Sequence, residues 1–262
     1  MTQLINWLSE NRTYAVIGLM VALLLSGFLA YTWKRVHDLD VAAQKVIVWV
    51  SDVDSYTQYV ETEVSFPDRA LSVIGTHYTN RKEGRFAAHS TTTLTIPDES
   101  SGNESNTFTF HNIAIGDDVY TKIETDSPLL QKTIPHSPEW RHFTRTTIPE
   151  AFQSISIPGP ILDNLKLFSE GGSYVSIAEN KGPRDLNGQP CTHYTFKLSG
   201  KTPDPGGPLP AILDRIGKNG TVDICASEEG AILEMRFESE SYRSRTLISD
   251  INSIPPIVAP LP

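Results

Sequence analysis

The chain has 262 residues, which allows one large domain with an appendage or two small domains. Its formal net charge is -9, and residues 1–33 hold only Glu10 and Arg12, so the whole excess lies in residues 34–262. An acidic body repels phosphate backbones and makes nucleic acid a poor partner. Frequent Thr, Ser and Pro with scarce Met suit strands and turns more than long helices.

Residues 1–12 read as a short tail. The next segment, Thr13 to Trp33, is TYAVIGLMVALLLSGFLAYTW and carries no charge. At 1.5 Å per residue it is long enough to cross a hydrocarbon core of about 30 Å. Tyr14 lies at one end and Tyr31 and Trp33 at the other, where amphipathic rings favour the membrane interface. Apolar residues surround the helix on every side, against a buried core helix. A cleaved signal peptide fits less well: the n-region is long and weakly basic, and a cut after Ala30 puts Phe28 where a small residue is wanted. Leu25-Ser26-Gly27-Phe28 is similar to a bacterial lipobox with Phe28 in place of the lipidated Cys, although Leu-Ser-Gly is also a common apolar triplet. The expectation is a transmembrane helix over 13–33 acting as a signal-anchor. Arg12 on one side and Lys34 and Arg35 on the other lean slightly toward a cytoplasmic body.

Residues 34–53 read as a stalk with a short amphipathic helix, Val41, Val46 and Val50 lying near helical spacing. Residues 54–258 read as one β-rich domain. Strands are expected at Ser55–Phe66, Leu71–Tyr78, Arg85–Ile96, Thr107–Ile113 and Val119–Glu124, with a glycine turn at Asn80–Gly84. Phe108 and Phe110 share one face of their strand; Thr107, Thr109 and His111 share the other. The stretch Pro128–Pro160, with Trp140, Phe143 and Phe152, yields no clear element. A helix follows at Ile161–Ser169, including Leu162 and Leu165, and Gly171-Gly172 stops it. A strand Tyr174–Ala178, a loop Asn180–Pro190 and a strand Thr192–Leu198 come next, the last with Tyr194, Phe196 and Leu198 on one face. A second helix, Leu209–Gly217, carries the stripe Leu209, Ile212, Leu213 and Ile216. Strands Thr221–Ala226, Ile232–Ser239 (with Leu233, Met235 and Phe237) and Arg243–Asp250 complete the body. The order predicts an α+β fold: a curved antiparallel sheet with short helices across its concave face.

Enzyme signatures are absent: there is no H-E-x-x-H, C-x-x-C, G-x-S-x-G or G-x-G-x-x-G. His89, His111 and His193 read as solvent-facing imidazoles, and Glu234, Glu238 and Glu240 as solvated charge. No catalytic residue, metal or cofactor is expected. The two cysteines are more informative. Pairing Thr192–Leu198 with Thr221–Ala226 so that Cys191 faces Cys225 sets His193 opposite Asp223 and leaves Tyr194 and Val222 on the other face. That register predicts a Cys191–Cys225 disulfide, which implies an oxidising compartment. It outweighs the charge signal and places the body outside the cytoplasm.

Three segments carry a family resemblance: the Ser55-Tyr56 strand after a short helix; Ile115-Gly116-Asp117-Asp118-Val119-Tyr120-Thr121-Lys122 with Glu139-Trp140; and Leu186-Asn187-Gly188-Gln189-Pro190-Cys191-Thr192-His193-Tyr194 with Ser249-Asp250-Ile251-Asn252 and Pro255-Pro256-Ile257. Over residues 40–258 this ordering resembles the LolA/LppX-like half-barrel proteins, which include lipoprotein carriers and lipid-binding lipoproteins. Departures are Phe28 for the lipidated Cys and the long insert Thr125–Pro160. The resemblance implies an acyl chain held between the sheet and lid helices Ile161–Ser169 and Leu209–Gly217. The expected contacts are Phe108, Phe110, Leu162, Leu165, Tyr194, Phe196, Leu209, Ile212, Leu213, Ile216, Leu233, Met235 and Phe237. The expected function is a membrane-anchored extracytoplasmic domain, not an enzyme, that binds a lipid or other hydrophobic molecule. The competing expectation is an envelope protein-interaction or structural domain with a closed core.

Overall fold

In the computed structural model, the described residues are 12–66, 69–98, 102–125, 127, 128, 131, 137–147, 175–198, 221–238 and 242–260. A long helix, α1 (Arg12–Asp52), leads into the eleven strands seen among the described residues: β1 (Ser55–Phe66), β2 (Arg69–Asn80), β3 (Arg85–Asp98), β4 (Gly102–Ile115), β5 (Asp118–Thr125), β6 (Ser137–Thr144), β7 (Val175–Leu186), β8 (Gln189–Leu198), β9 (Thr221–Ala226), β10 (Ile232–Glu238) and β11 (Tyr242–Ser249). They form one sheet in the order β6-β5-β4-β3-β2-β1-β11-β10-β9-β8-β7. Every neighbouring pair is antiparallel. Two up-and-down runs, β1–β6 and β7–β11, are thus joined side by side through β1 and β11, where Thr57 faces Ser249 and Val64 faces Tyr242.

The helix is continuous where the sequence suggested two segments. Residues 34–53 contain neither Pro nor Gly, so nothing breaks the hydrogen-bond ladder. The chain divides into two units between Gln44 and Lys45, and the last turns of α1 belong to the second. There Val46 and Val50, with Val53 beyond them, are buried against Tyr56, Val222, Ile224, Ile232, Met235 and Ile248. Val41 is exposed instead. A five-residue step turns a side chain about 140° around a helix with 3.6 residues per turn, which takes Val41 off the face that Val46 presents. Among the described residues no helix is long and apolar enough to cross a membrane. Most side chains of the apolar span Thr13–Trp33 fall outside that description; of those within it, Phe28 and Trp33 are exposed.

Three sheet segments differ from the sequence reading. β6 occupies part of the stretch left without an element, its short length and Ser-Pro start having hidden it. β7 runs through the expected loop and pairs with β8 across Asn187-Gly188. Both turn residues have positive φ (55° and 85°), the two-residue hairpin geometry that Asn-Gly favours. The β8–β9 register is two residues away from the expected one: His193 faces Cys225 and Thr195 faces Asp223. A two-residue slip preserves which face each side chain occupies. Cys191 therefore remains on the same face as Cys225, one step along the diagonal, and the Cys191–Cys225 disulfide forms with its Cα atoms 5.5 Å apart.

On that outer face Glu234 is buried, yet it stays charged. Burial acts to raise its carboxyl pKa, but hydrogen bonds from Arg236 (2.8 Å) and Arg245 (2.7 Å), with the nearby Arg184 (2.8 Å), outweigh it and hold the pKa below the ordinary 4.5. This corrects the reading of Glu234 as solvated charge.

Two outcomes test this packing. Gly230 has φ +92°, and a Cβ there would lie 2.6 Å from the backbone carbonyl of Lys45. Gly230→Ala is therefore expected to cost about 2 kcal/mol or more in urea unfolding, combining left-handed strain with a backbone clash. The disulfide closes a separation of 34 residues. Replacing both cysteines by Ala is expected to lower stability by about 3–4 kcal/mol on the chain-entropy estimate.

Candidate functional site

The sheet's registers decide which side chains share the face that α1 touches, here called the inner face. Its first apolar cluster joins α1 to β1 and β8–β11: Val46, Val50, Tyr56, Val222, Ile224, Met235, Phe237 and Ile248, with Tyr194 packed at its border. A second lies on the other half of the sheet, built from Phe110, Ala114, Val119 and Ile123, with Phe86, Phe108 and Phe143 against it. Among the described residues this second cluster consists of strand residues alone, although Phe110 and Ile123 are each only 2% exposed.

Between the clusters the inner face is polar. Tracing one rank of cross-strand partners gives Ile248, Gln58, His77, Ala88, Asn112 and Thr121 across β11, β1, β2, β3, β4 and β5. Gln58, His77, Asn112 and Thr121 are all buried. The adjacent rank runs Thr246, Val60, Gly75, Ser90, Phe110 and Ile123. Burial pushes His77 down from the ordinary 6.5 to about 4, so its imidazole is neutral at physiological pH. Its neighbour is the Phe86 ring, edge-on at 5.9 Å between centroids.

The expected contact residues fall into five groups. Phe108 and Phe110 lie at the second cluster, and Tyr194, Met235 and Phe237 at the first. Leu233 belongs elsewhere: a bulge at this point of β10 turns it toward Leu186, Cys191 and Cys225. Phe196 faces Val222 in the β8–β9 pairing, but its side chain lies outside the described residues. Leu162, Leu165, Leu209, Ile212, Leu213 and Ile216, and with them both expected lid helices, lie outside them altogether. The polar rank escaped the sequence reading. Alternation carried the signal, since Asn112 follows Phe108 and Phe110 on the same face of β4.

His89, His111 and His193 sit on the outer face, since Ala88, Asn112 and Tyr194 beside them in sequence face inward. His89 and His111 approach at 3.0 Å between Nδ1 atoms, His111 Nε2 lies 3.3 Å from Glu124, and Lys122 is 2.6 Å from the same carboxylate. Burial, then the neighbouring His89, push the His111 pKa down despite Glu124. His193 is mostly buried, 3.5 Å from Asp223, rather than solvent-facing. Among the described residues no group of three or more His, Cys, Asp or Glu side chains is placed to hold a metal ion.

No protein-family model matches the chain, and no curated protein matches it. Solved structures similar to it include LprF from Mycobacterium bovis, at 14% identity over 85% of this chain and 97% of that one, with a TM-score of 0.49. The Mycobacterium tuberculosis lipoprotein LppX is similar at 13% identity over 84% and 98%, with a TM-score of 0.45. A putative outer membrane lipoprotein-sorting protein domain from Vibrio parahaemolyticus is similar at 11% identity over 79% and 92%, with a TM-score of 0.21. LppX and the lipoprotein-sorting domain come from the group that the sequence motifs resemble. At these identities and TM-scores the likeness says nothing about a ligand of this chain.

His77 gives a pH test. Its pKa is lower in the folded chain than in the unfolded chain, so the unfolded state binds the extra proton between pH 6.5 and about 4. Its contribution is complete above pH 6.5 and is lost as pH falls toward 4, by about 1.4 kcal/mol per unit at most. Melting curves from pH 7 down to 5 are expected to fall less steeply for His77→Gln than for the parent; identical slopes contradict a buried neutral His77.

Proposed function

We propose that this chain is a membrane-anchored, extracytoplasmic domain that binds a lipid or other hydrophobic molecule against the inner face of its sheet, and that it is not an enzyme. The observation that carries the reading is the second apolar cluster: Phe110, Ile123 and Val119 are buried, and the described elements that surround them are strands alone. An open sheet of eleven strands twists enough to curl, and one apolar face of a curled sheet encloses a cleft. A concave, mostly apolar cleft with a few polar groups is the ordinary form of a small-molecule site. The proposed contacts are Phe108, Phe110, Tyr194, Met235 and Phe237, joined by Phe196 and by lid residues Leu162, Leu165, Leu209, Ile212, Leu213 and Ile216. The half-barrel and its lids, like the anchor, belong to this proposal.

The anchor is proposed at Thr13–Trp33, on its length, its lack of charge and its terminal aromatic residues. The disulfide supports an oxidising compartment for the body. A tethered domain suits local transfer or sensing beside its own membrane, with envelope proteins as partners in that exchange. The second reading is a protein-interaction or structural domain with a filled core. In its favour, α1 already fills the first cluster with valine side chains.

Native mass spectrometry of the full chain, with organic extraction after exchange into a non-ionic detergent, separates the two. One lipid-sized mass per chain, retained through detergent exchange and lost on denaturation, is the expected result. A bare chain, two protons light from its disulfide, contradicts ligand binding and favours the filled core. Free thiols contradict the proposed compartment.

A further inference from the structure

The polar rank between the two clusters has an unusual energetic state. Gln58 is 2% exposed, Asn112 0% and Thr246 0%. Among the described residues Gln58 Nε2, both Asn112 side-chain polar atoms and Thr246 Oγ1 have no hydrogen-bond partner. Each such buried group costs about 1–3 kcal/mol relative to a satisfied one. Apolar side chains of similar shape would remove that cost, so these residues are a burden on the empty fold unless something completes their hydrogen bonds. Gln58 and Asn112 share a rank, three strand spacings apart, or about 14 Å at 4.7–4.9 Å per spacing. Thr246 lies in the next rank, which leads to Phe110 and Ile123. Polar and apolar positions thus adjoin on a single buried face.

Resting on the lipid-binding reading above, we propose that Gln58, Asn112 and Thr246 receive the uncharged, hydrogen-bonding part of an amphiphile, such as its ester or hydroxyl groups, while the acyl chains lie along the adjoining apolar clusters. The set offers amide and hydroxyl groups that both donate and accept, which matches esters and alcohols. It offers no formal charge to an ionised head group, and burying an unpaired ion is far more costly than burying an ester. His77 in the same rank is neutral at physiological pH. The charged side chain among the described residues at the end of this rank is Arg141, which faces Thr121 from the edge strand β6 and is exposed. An anionic head group therefore has a solvated partner at the rim and none along the buried rank.

Two photo-crosslinking probes test this on the full chain in non-ionic detergent: dioleoylglycerol and dioleoylphosphatidylglycerol, each with the same diazirine in one acyl chain. They share their hydrocarbon and differ in head-group charge. The expected result is preferential labelling of the body by the diacylglycerol. In the triple variant Gln58→Met, Asn112→Leu, Thr246→Val, diacylglycerol labelling is expected to fall by about tenfold, with phosphatidylglycerol labelling unchanged. Removing unpartnered buried polar atoms should leave the melting temperature equal or higher, which separates the loss from misfolding. Thr57→Val, which removes a buried unpartnered hydroxyl on the outer face, should leave both probes unaffected. If neither probe labels the body, the lipid-binding reading fails and this inference with it. If both label the body equally, or the triple variant keeps the diacylglycerol preference, lipid binding stands and the assignment of the polar rank is overturned; water alone then completes those groups.

Discussion

The pairing of β1 with β11 is the constraint on which the rest depends. It brings residues 57–64 beside residues 242–249, so the first and last strands become the centre of one sheet. Without it there are two separate up-and-down runs, each with a long unpaired edge. With it the sheet has eleven strands, two remote edges and a continuous inner face. Such a sheet cannot stay flat, because each strand pair adds twist of one hand. The last turns of α1 then seat against the strands beside this junction, where Val46, Val50 and Val53 meet Tyr56 and Ile248. The pairing of β1 with β11 and the docking of the last turns of α1 thus share one buried cluster.

The two faces of this sheet solve different problems. The outer face manages charge: Glu234 is buried but has three arginines about it, and Asp223 accepts from Thr195 and Lys181. Breaking one member of such a group leaves an uncompensated buried charge, a larger penalty than the pair itself is worth. The disulfide lies on this side too and ties β8 to β9. Among the described residues the buried polar side chains of the inner-face rank, Gln58, His77, Asn112 and Thr121, carry no charge, Gln58 and Asn112 are incompletely satisfied, and the buried apolar side chains of this face fall into two separate groups.

Much of this was legible in the sequence because the strands alternate. The faces of β4 and the covalent pairing of Cys191 with Cys225 follow from two-residue periodicity, and the turn before β3 follows from Gly84. The disulfide emerged even though the register was two residues off, because a slip of two keeps every side chain on its face. Other features needed information that local patterns lack. β7 read as a loop because Lys181, Gly182 and Pro183 interrupt its alternation, while the Asn187-Gly188 turn that pairs it with β8 was passed over. Glu234 read as solvated because, beyond Arg236 on its own strand, its arginines Arg184 and Arg245 are brought by other strands, β7 and β11. Gln58, His77 and Asn112 looked like ordinary strand polars; only the pairing of the four strands β1–β4 shows that they form one rank.

The central claim is that the inner face holds a hydrophobic ligand. It is tested most directly by a crystal structure of the full chain taken straight from its expression host, without delipidation. The account predicts elongated density along the inner face beside Phe108 and Phe110, with its polar end against Gln58 and Asn112. Side chains closely packed over those residues, with no space for a chain of methylene groups, would contradict it.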